Sequence, residues 1–330
     1  MVATINDVAK KAGVAIGTVS KVLNNYANVS KETREKVLKA ASELNYIPNT
    51  IASALSSKNS NRVALYIYIN DQRQAIDEIN MQYLLGAFTM ANEIGVHVIT
   101  LFNYTILNLN SDELIQYLSS QGINGLVVFG LNKEDKIIHD IIKRQEFNTV
   151  VVDAPIVNEK TTSVSVDHTK GQYDVAKLAL KDKDIKNVLY LVGKKNGYVT
   201  DQRIDGIKKL KEELNFNLHI EHCDFSEKKS YKTTLKLAKD YDAIVCASDL
   251  MAIGSTNALK KLNIERLCCG YDGITLLGYV GNNILTCKQN FYNVAQTAIK
   301  EMKRLLNHEE GREVTLGYEI LKITYDQVIF

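Results

Sequence analysis

The 330 residues contain no apolar run long enough to cross a bilayer and no signal-peptide pattern, so a soluble, cytoplasmic protein is expected. Cysteine is scarce and odd in number. Cys223, Cys246, Cys268, Cys269 and Cys287 show neither CxxC nor His-flanked spacing, which argues against a disulfide framework or a metal site. They read as buried thiols in a reducing compartment, with Cys268 and Cys269 on opposite faces of a strand. The six histidines are scattered, and there is no GxGxxG after the first strand, no Walker loop and no G-x-S-x-G. No catalytic residue and no cofactor is therefore expected. Net charge is only +2, but it is unevenly spread: residues 1–61 hold eight Lys/Arg against four acids, leaving +4 there and −2 in the remainder. A basic head on a near-neutral body fits a nucleic-acid partner.

What is present begins with TINDVAKKAGVAIGTVSKVLNN, residues 4–25. Thr4 can cap a helix with Asp7 three residues on, and Ile5, Val8, Ala9 and Ala12 share one face. Gly13 sits where a tight turn needs positive φ. In the next helix Val19, Val22 and Leu23 face inward, which leaves Ile16, Gly17, Thr18, Ser20 and Lys21 to meet a DNA major groove. Ser30 is placed to cap a third helix, whose Val37, Leu38, Ala41 and Leu44 form an apolar stripe that ends before Pro48. The polar stretch PNTIASALSSKNSNR follows, with a short helical pattern at Ile51, Ala52 and Leu55. On DNA, Leu55 would project as an apolar wedge for a minor-groove step.

From Arg62 the chain alternates β-rich runs with helical periods, the pattern of parallel sheets covered on both faces. VALYIYI, VHVITLF, GLVVFG and TVVVD make a first set. After a loop with Pro155, SVSVD, NVLYLVG, NLHIEHC, AIVCAS and RLCCGYD make a second. A helix near Val294–Leu306 and the strand-like tail VTLGYEILKITYDQVIF complete two lobes joined by three strands. A hinged pair of doubly wound lobes puts a ligand in the cleft at the carboxyl ends of the strands. Without leucine heptads for a tetramerising coiled coil, a dimer through the body is expected.

The stretches TINDVAKKAGVAIGTVSKVLNN, VSKETREKVLKAASELNYIPNTIASAL, QRIDGI, ASDLMAIGSTNAL and CCGYDG, in this order, resemble the lactose-repressor (LacI/GalR) family of bacterial transcription regulators over essentially the whole chain. The resemblance implies an α/β fold: an all-α helix-turn-helix headpiece (1–48), a hinge (49–61) and a two-lobed effector domain of periplasmic-binding-protein type (62–330). Lobe 1 would comprise about 62–162 and 291–316, lobe 2 about 163–290 and 317–330. It implies a dimeric repressor of a carbohydrate-utilisation operon, nucleoid-associated when bound to a pseudo-palindromic operator and controlled by a sugar or sugar derivative. The alternative is control by a protein corepressor or a non-sugar ligand.

Carried over by position, Ile16, Gly17 and Lys21 would read bases, and Thr18, Asn24 and Arg34 would lie near phosphates. Thr4, Ser20, Asn49 and Ala52 would add DNA contacts, and Leu55 would be the wedge. Ala15, Lys21 and Ser53 depart from the usual Ser, Arg and Arg; an ammonium at position 21 reads guanine less specifically than a bidentate fork. In the body Asp153, Arg203, Phe225, Ser248, Asp249, Asp272 and Gln296 would hold the effector, with Asn70, Asp71 and Arg73 at the cleft entrance. There NDQRQAIDEI replaces a common Asn-Pro-aromatic run, which admits an acidic sugar or sugar phosphate. Two bland readings stand beside these assignments: an interlobe ion pair for Arg203 and Asp272, and a helix cap for Asp249.

Overall fold

The computed structural model describes residues 3–23, 28–46, 61–69, 77–181, 183–280 and 284–329. They form two compact units, a helical head described as far as Tyr46 and an α/β body beginning at Asn61. The head comprises α1 (Ile5–Ala12), α2 (Ile16–Leu23) and α3 (Lys31–Glu43). Thr4 and Asp7 cap α1 reciprocally: the Thr4 N–H donates to Asp7 Oδ2 at 2.9 Å, and the Asp7 N–H donates to Thr4 Oγ1 at 3.4 Å. Gly13 ends the helix at φ 67°, a conformation that costs a side-chain-bearing residue energy. Val8, Val19, Val22, Val37, Ala40 and Ala41 close a small core, and Lys11 pairs with Glu43 at 2.8 Å to tie α1 to α3. Leu38 does not join that core; it is 50% exposed. At 100° per residue the buried face runs through 37, 40, 41 and 44, and position 38 points away from it.

The body starts with β1 (Arg62–Ile67), α4 (Glu78–Glu93), β2 (His97–Phe102), α5 (Ser111–Ser120), β3 (Gly125–Phe129), α6 (Lys136–Arg144), β4 (Asn148–Val152) and β5 (Thr161–Val166). Then come α7 (His168–Leu180), β6 (Asn187–Val192), α8 (Tyr198–Leu214), β7 (Asn217–His222), α9 (Glu227–Leu237), β8 (Ala243–Cys246), α10 (Asp249–Leu262), β9 (Leu267–Cys269), α11 (Leu276–Val280) and β10 (Leu285–Gln289). The chain ends in α12 (Phe291–Leu306), β11 (Glu313–Leu316), β12 (Tyr318–Lys322) and α13 (Tyr325–Ile329). One sheet has the order β11-β5-β4-β3-β1-β2 and the other β12-β10-β9-β8-β6-β7; among the described residues the strand pairings are parallel except β10–β12.

Strand alternation explains the layers. Val63, Leu65 and Ile67 turn to one face of the first sheet and pack under α4 and α12. Ala64 and Tyr66 turn to the other, under α5 and α6. Where α4 crosses α12, a Cβ on Gly86 would sit 2.2 Å from the Tyr292 carbonyl oxygen, so only glycine permits the approach.

Two expectations are corrected. SVSVD does not open the second lobe: β5 pairs with β4 and β11 in the first sheet. The link 153–160 contains no helix, so the usual strand–helix–strand signal of a parallel neighbour is missing there. The tail is not strand throughout either. After β12, Gln327 Oε1 accepts from the Thr324 N–H at 3.0 Å and starts α13.

Candidate functional site

On the head, Thr4, Ile16, Gly17 and Lys21 are exposed, while Thr18, Ser20 and Arg34 are half-buried. Ile16 is 50% exposed at the first position of α2, an apolar side chain outside the core at the end of the helix that would enter a groove. Arg34 Nη1 donates to the Val22 carbonyl at 3.4 Å, which steadies the last turn of α2 from α3. Asn24, Asn49, Ala52 and Leu55 lie outside the described residues, as does Ser53.

In the body, the carboxyl ends of both sets of strands converge on a cavity of about 250 Å³. Asp153, Arg203, Phe225, Ser248 and Asp272 all line it. Asp153 follows β4 at φ 60° and Asp272 follows β9 at φ 118°. Non-glycine residues in this region cost on the order of 1–3 kcal/mol each, and such outliers concentrate at ligand sites. Arg203 is 4% exposed on α8. Its Nη2 pairs with Asp272 Oδ1 at 3.3 Å, its Nη1 donates to the Ala247 carbonyl, and its guanidinium lies 3.8 Å from the centre of the Tyr271 ring. Gln289 Nε2 donates to the same Asp272 oxygen at 3.2 Å.

His168, at the start of α7, joins Asp153 to this group. Nε2 lies 2.9 Å from Asp153 Oδ1, and Nδ1 lies 3.4 Å from Arg203 Nη2. A guanidinium can only donate, so Nδ1 accepts and Nε2 carries the proton to Asp153, which is the neutral imidazole. Burial lowers the His168 pKa, and Arg203 adds to that, against the pull of Asp153. Burial raises Asp272 to about 6, with Arg203 opposing and Asp153 adding to the rise.

The lobes are clasped around the cavity. Glu78, at the start of α4, accepts from the Thr275 N–H at 2.9 and 3.0 Å and from the Thr275 hydroxyl at 2.8 Å. Lys194 Nζ donates to the Tyr68 hydroxyl at 3.0 Å, the Lys133 N–H donates to the Asn196 carbonyl at 2.9 Å, and Lys133 Nζ pairs with Asp201.

Two of the expected residues do not line the cavity. Asp249 is fully buried and does not line the cavity; its carboxylate accepts from the Gly273 and Ile274 N–H groups at 2.6 and 2.9 Å and from the Thr286 hydroxyl at 2.7 Å. It fixes the loop that carries Asp272. Gln296 is also absent from the lining, because α12 turns Val294, Ala295, Ala298 and Ile299 into the first-lobe core and reaches the cavity only through Phe291. Asn70, Asp71 and Arg73, with Gln72, lie outside the described residues.

Sequence reasoning missed Tyr68, Tyr83, Lys194 and Gln289 in the lining, and His168 behind it. The signal was available for four of them: Tyr68, His168, Lys194 and Gln289 stand at or just beyond the carboxyl end of a strand. Tyr83 on α4 had none, since its hydroxyl reaches Asp153, 70 residues along the chain, at 3.3 Å. All five cysteines are reduced, and among the described residues no His/Cys/Asp/Glu cluster could hold a metal ion. No helix among the described residues is long and apolar enough to cross a membrane.

Comparison with known proteins agrees with both parts. Residues 4–49 match bacterial regulatory proteins of the lacI family, and residues 75–310 match the periplasmic binding protein domain. The HTH-type transcriptional regulator RegA of Clostridium saccharobutylicum is 28% identical, with 98% of each chain covered. Catabolite control protein A of Streptococcus mutans is 27% identical over 96% of each. The lac repressor dimer bound to operator and the anti-inducer ONPF has the same fold, with a TM-score of 0.79 at 23% identity and 98% of both chains covered. The chain belongs to the lacI family of bacterial regulatory proteins, and it is a DNA-binding transcription regulator, not an enzyme.

Proposed function

We propose that this regulator represses a carbohydrate-utilisation operon, binding a pseudo-palindromic operator as a homodimer and changing affinity when a small polyhydroxy ligand occupies the interlobe cavity. One observation carries the reading: a chain with an exposed α2 also has a cavity walled by carboxylates, a guanidinium and aromatic rings. Planar donors facing acceptors suit vicinal hydroxyls, and Phe225 offers a flat apolar face. The names of relatives point the same way, among them the ribose operon repressor of Halalkalibacterium halodurans at 26% identity and a CelR–cellobiose complex of the same fold. Self-association through the body is supported by Met81, Leu85 and Phe88, an exposed apolar stripe on α4. Such a protein works in the cytoplasm, on the nucleoid when bound. Coupling worth about 1–3 kcal/mol would change operator occupancy roughly 5- to 150-fold.

The test is a fluorescence-anisotropy titration of a pseudo-palindromic duplex at several salt concentrations. Each neutralised phosphate contributes about −0.9 to the log–log slope, so two heads should give a steep line. Lys21→Ala should relax base preference once per half-site. Lys36→Ala should change little, because Lys36 is exposed and paired with Glu32 at 2.8 Å. A flat salt dependence, or a monomer by light scattering at micromolar concentration, would sink the proposal.

A further inference from the structure

The charge inside the cavity is unbalanced, and the imbalance bears on the ligand. Among the described residues its lining holds four carboxylates, Asp77, Glu78, Asp153 and Asp272, against two cations, Lys194 and Arg203. Arg203 is ion-paired within the wall, with its buried Nε–H left without a partner among the described residues, and Lys194 meets only neutral groups there. Arg203 answers Asp272 and the Ala247 carbonyl, with its face against Tyr271. Lys194 donates to the Tyr68 hydroxyl and lies 4.7 Å from the centre of that ring. Among the described residues the carboxylates of the lining outnumber its cations, so an anionic ligand would meet a surplus of like charge.

The carboxylates differ in what holds them. Asp77 caps α4 through Asn80, and Glu78 is taken by Thr275. Asp153 receives donors that are all neutral, the His168 Nε2–H at 2.9 Å and the Tyr83 hydroxyl at 3.3 Å. Asp272 accepts from Arg203 and Gln289 on Oδ1 alone, and among the described residues Oδ2 accepts no hydrogen bond. These two aspartates stand at the ends of β4 and β9, one from each sheet, with side chains 19% and 9% exposed. Burial and the charge of Asp153 push Asp272 up to about 6, so the pair bears its negative charge at a cost that a bound cation would relieve. An ammonium offers three donors and no acceptor, which matches carboxylate oxygens that can only accept.

We infer that the ligand of this cavity carries a protonated nitrogen among its hydroxyls, an amino sugar or aminated polyol of one-ring size, with its cationic centre between Asp153 and Asp272. The inference rests on the reading of the cavity as the effector site and narrows its chemistry. It stands against the acidic sugar or sugar phosphate that the loop 70–79 admitted on sequence grounds, a loop whose Arg73 lies outside the described residues.

The experiment is calorimetry and thermal shift on the full chain at pH 7. The ligands are D-glucosamine, D-galactosamine and D-mannosamine, each beside its uncharged parent and its N-acetyl form, with D-glucose 6-phosphate as the anion. One amine should bind about tenfold or more tighter than both its parent and its N-acetyl form, the margin expected of charge-assisted hydrogen bonds in a buried site. Asp272→Asn should bring that ratio close to one. Asp153→Asn should do the same and serves if the first variant does not fold. A parent sugar or the phosphate binding as tightly as every amine would overturn the charge inference and leave the cavity as the effector site. If no sugar of any charge shifts the melting temperature or the operator affinity, both readings fall.

Discussion

The two lobes have six strands each in the same order, differing in the direction of the last strand, yet they place their polar groups differently. The second lobe buries His168, Gln172, Arg203, Ser248, Asp249, Asp272 and Gln289. In the first lobe the one buried charge among the described residues is Glu301, whose carboxylate is taken by Arg304 and Arg312 at 2.6 Å each. Apart from Tyr83, its polar contributions to the cavity, such as Tyr68, Asn80, Glu78 and Asp153, come from less buried positions. A repeated scaffold has thus divided its tasks: one lobe holds polar groups in fixed positions in its interior, and the other closes over them. Fixed, water-excluded partners are costly to hold and selective once held.

Breaking the buried side should have the largest effect. Arg203→Met leaves Asp272 without its cation, and removing one partner of a buried pair costs about 3–5 kcal/mol. Urea unfolding of this variant should show that loss, with ligand binding abolished. The matched change in the first lobe, Tyr83→Phe, removes one hydrogen bond to Asp153 and should cost about 1 kcal/mol. Equal losses in the two variants would end the comparison.

Acid should sharpen it next. Asp272 has its folded-state pKa raised from 3.8 to about 6, so its stabilising contribution is full below its unfolded value and is lost as pH rises through 6. His168 has its value lowered from 6.5, so its contribution is present above 6.5 and is lost on acidification. Between pH 7 and pH 5 the parent should gain about 1 kcal/mol on Asp272→Asn, whatever the offset between them at pH 7. The absence of any such drift in a pH series of melting temperatures would show that Asp272 ionises at an ordinary value.

The smallest effect belongs to the clasp. Glu78→Gln weakens three hydrogen bonds to Thr275 at a half-exposed position, so calorimetry should find ligand affinity lowered about threefold to tenfold, with the melting temperature of the unliganded protein nearly unchanged.

Much of this was legible beforehand. In the described part of the head the cap, turn glycine and inward valines could be read because they are local in sequence, while Leu38 departs through an error of helical phase. The body's strands could be read from their apolar runs, and Asp153, Arg203, Phe225, Ser248 and Asp272 from motifs. What could not be read was long-range. Whether Asp249 faced ligand or loop depended on Thr286, 37 residues away, and the partnership of Tyr83 with Asp153 spans 70. β5 was assigned to the wrong lobe because its pairing with β11 joins residues 150 apart in the chain.

That crossing has a consequence for how the molecule is made. The first sheet needs β11 at its edge and α12 on its face, both of which emerge after the entire second lobe, and the second sheet needs β12 after that. Neither lobe can finish its core during synthesis until residues beyond 313 have left the ribosome, whereas the described core of the head lies within residues 5–46. The nascent chain therefore acquires its DNA-reading end long before its ligand-reading one, with unfinished apolar sheet edges exposed in the interval.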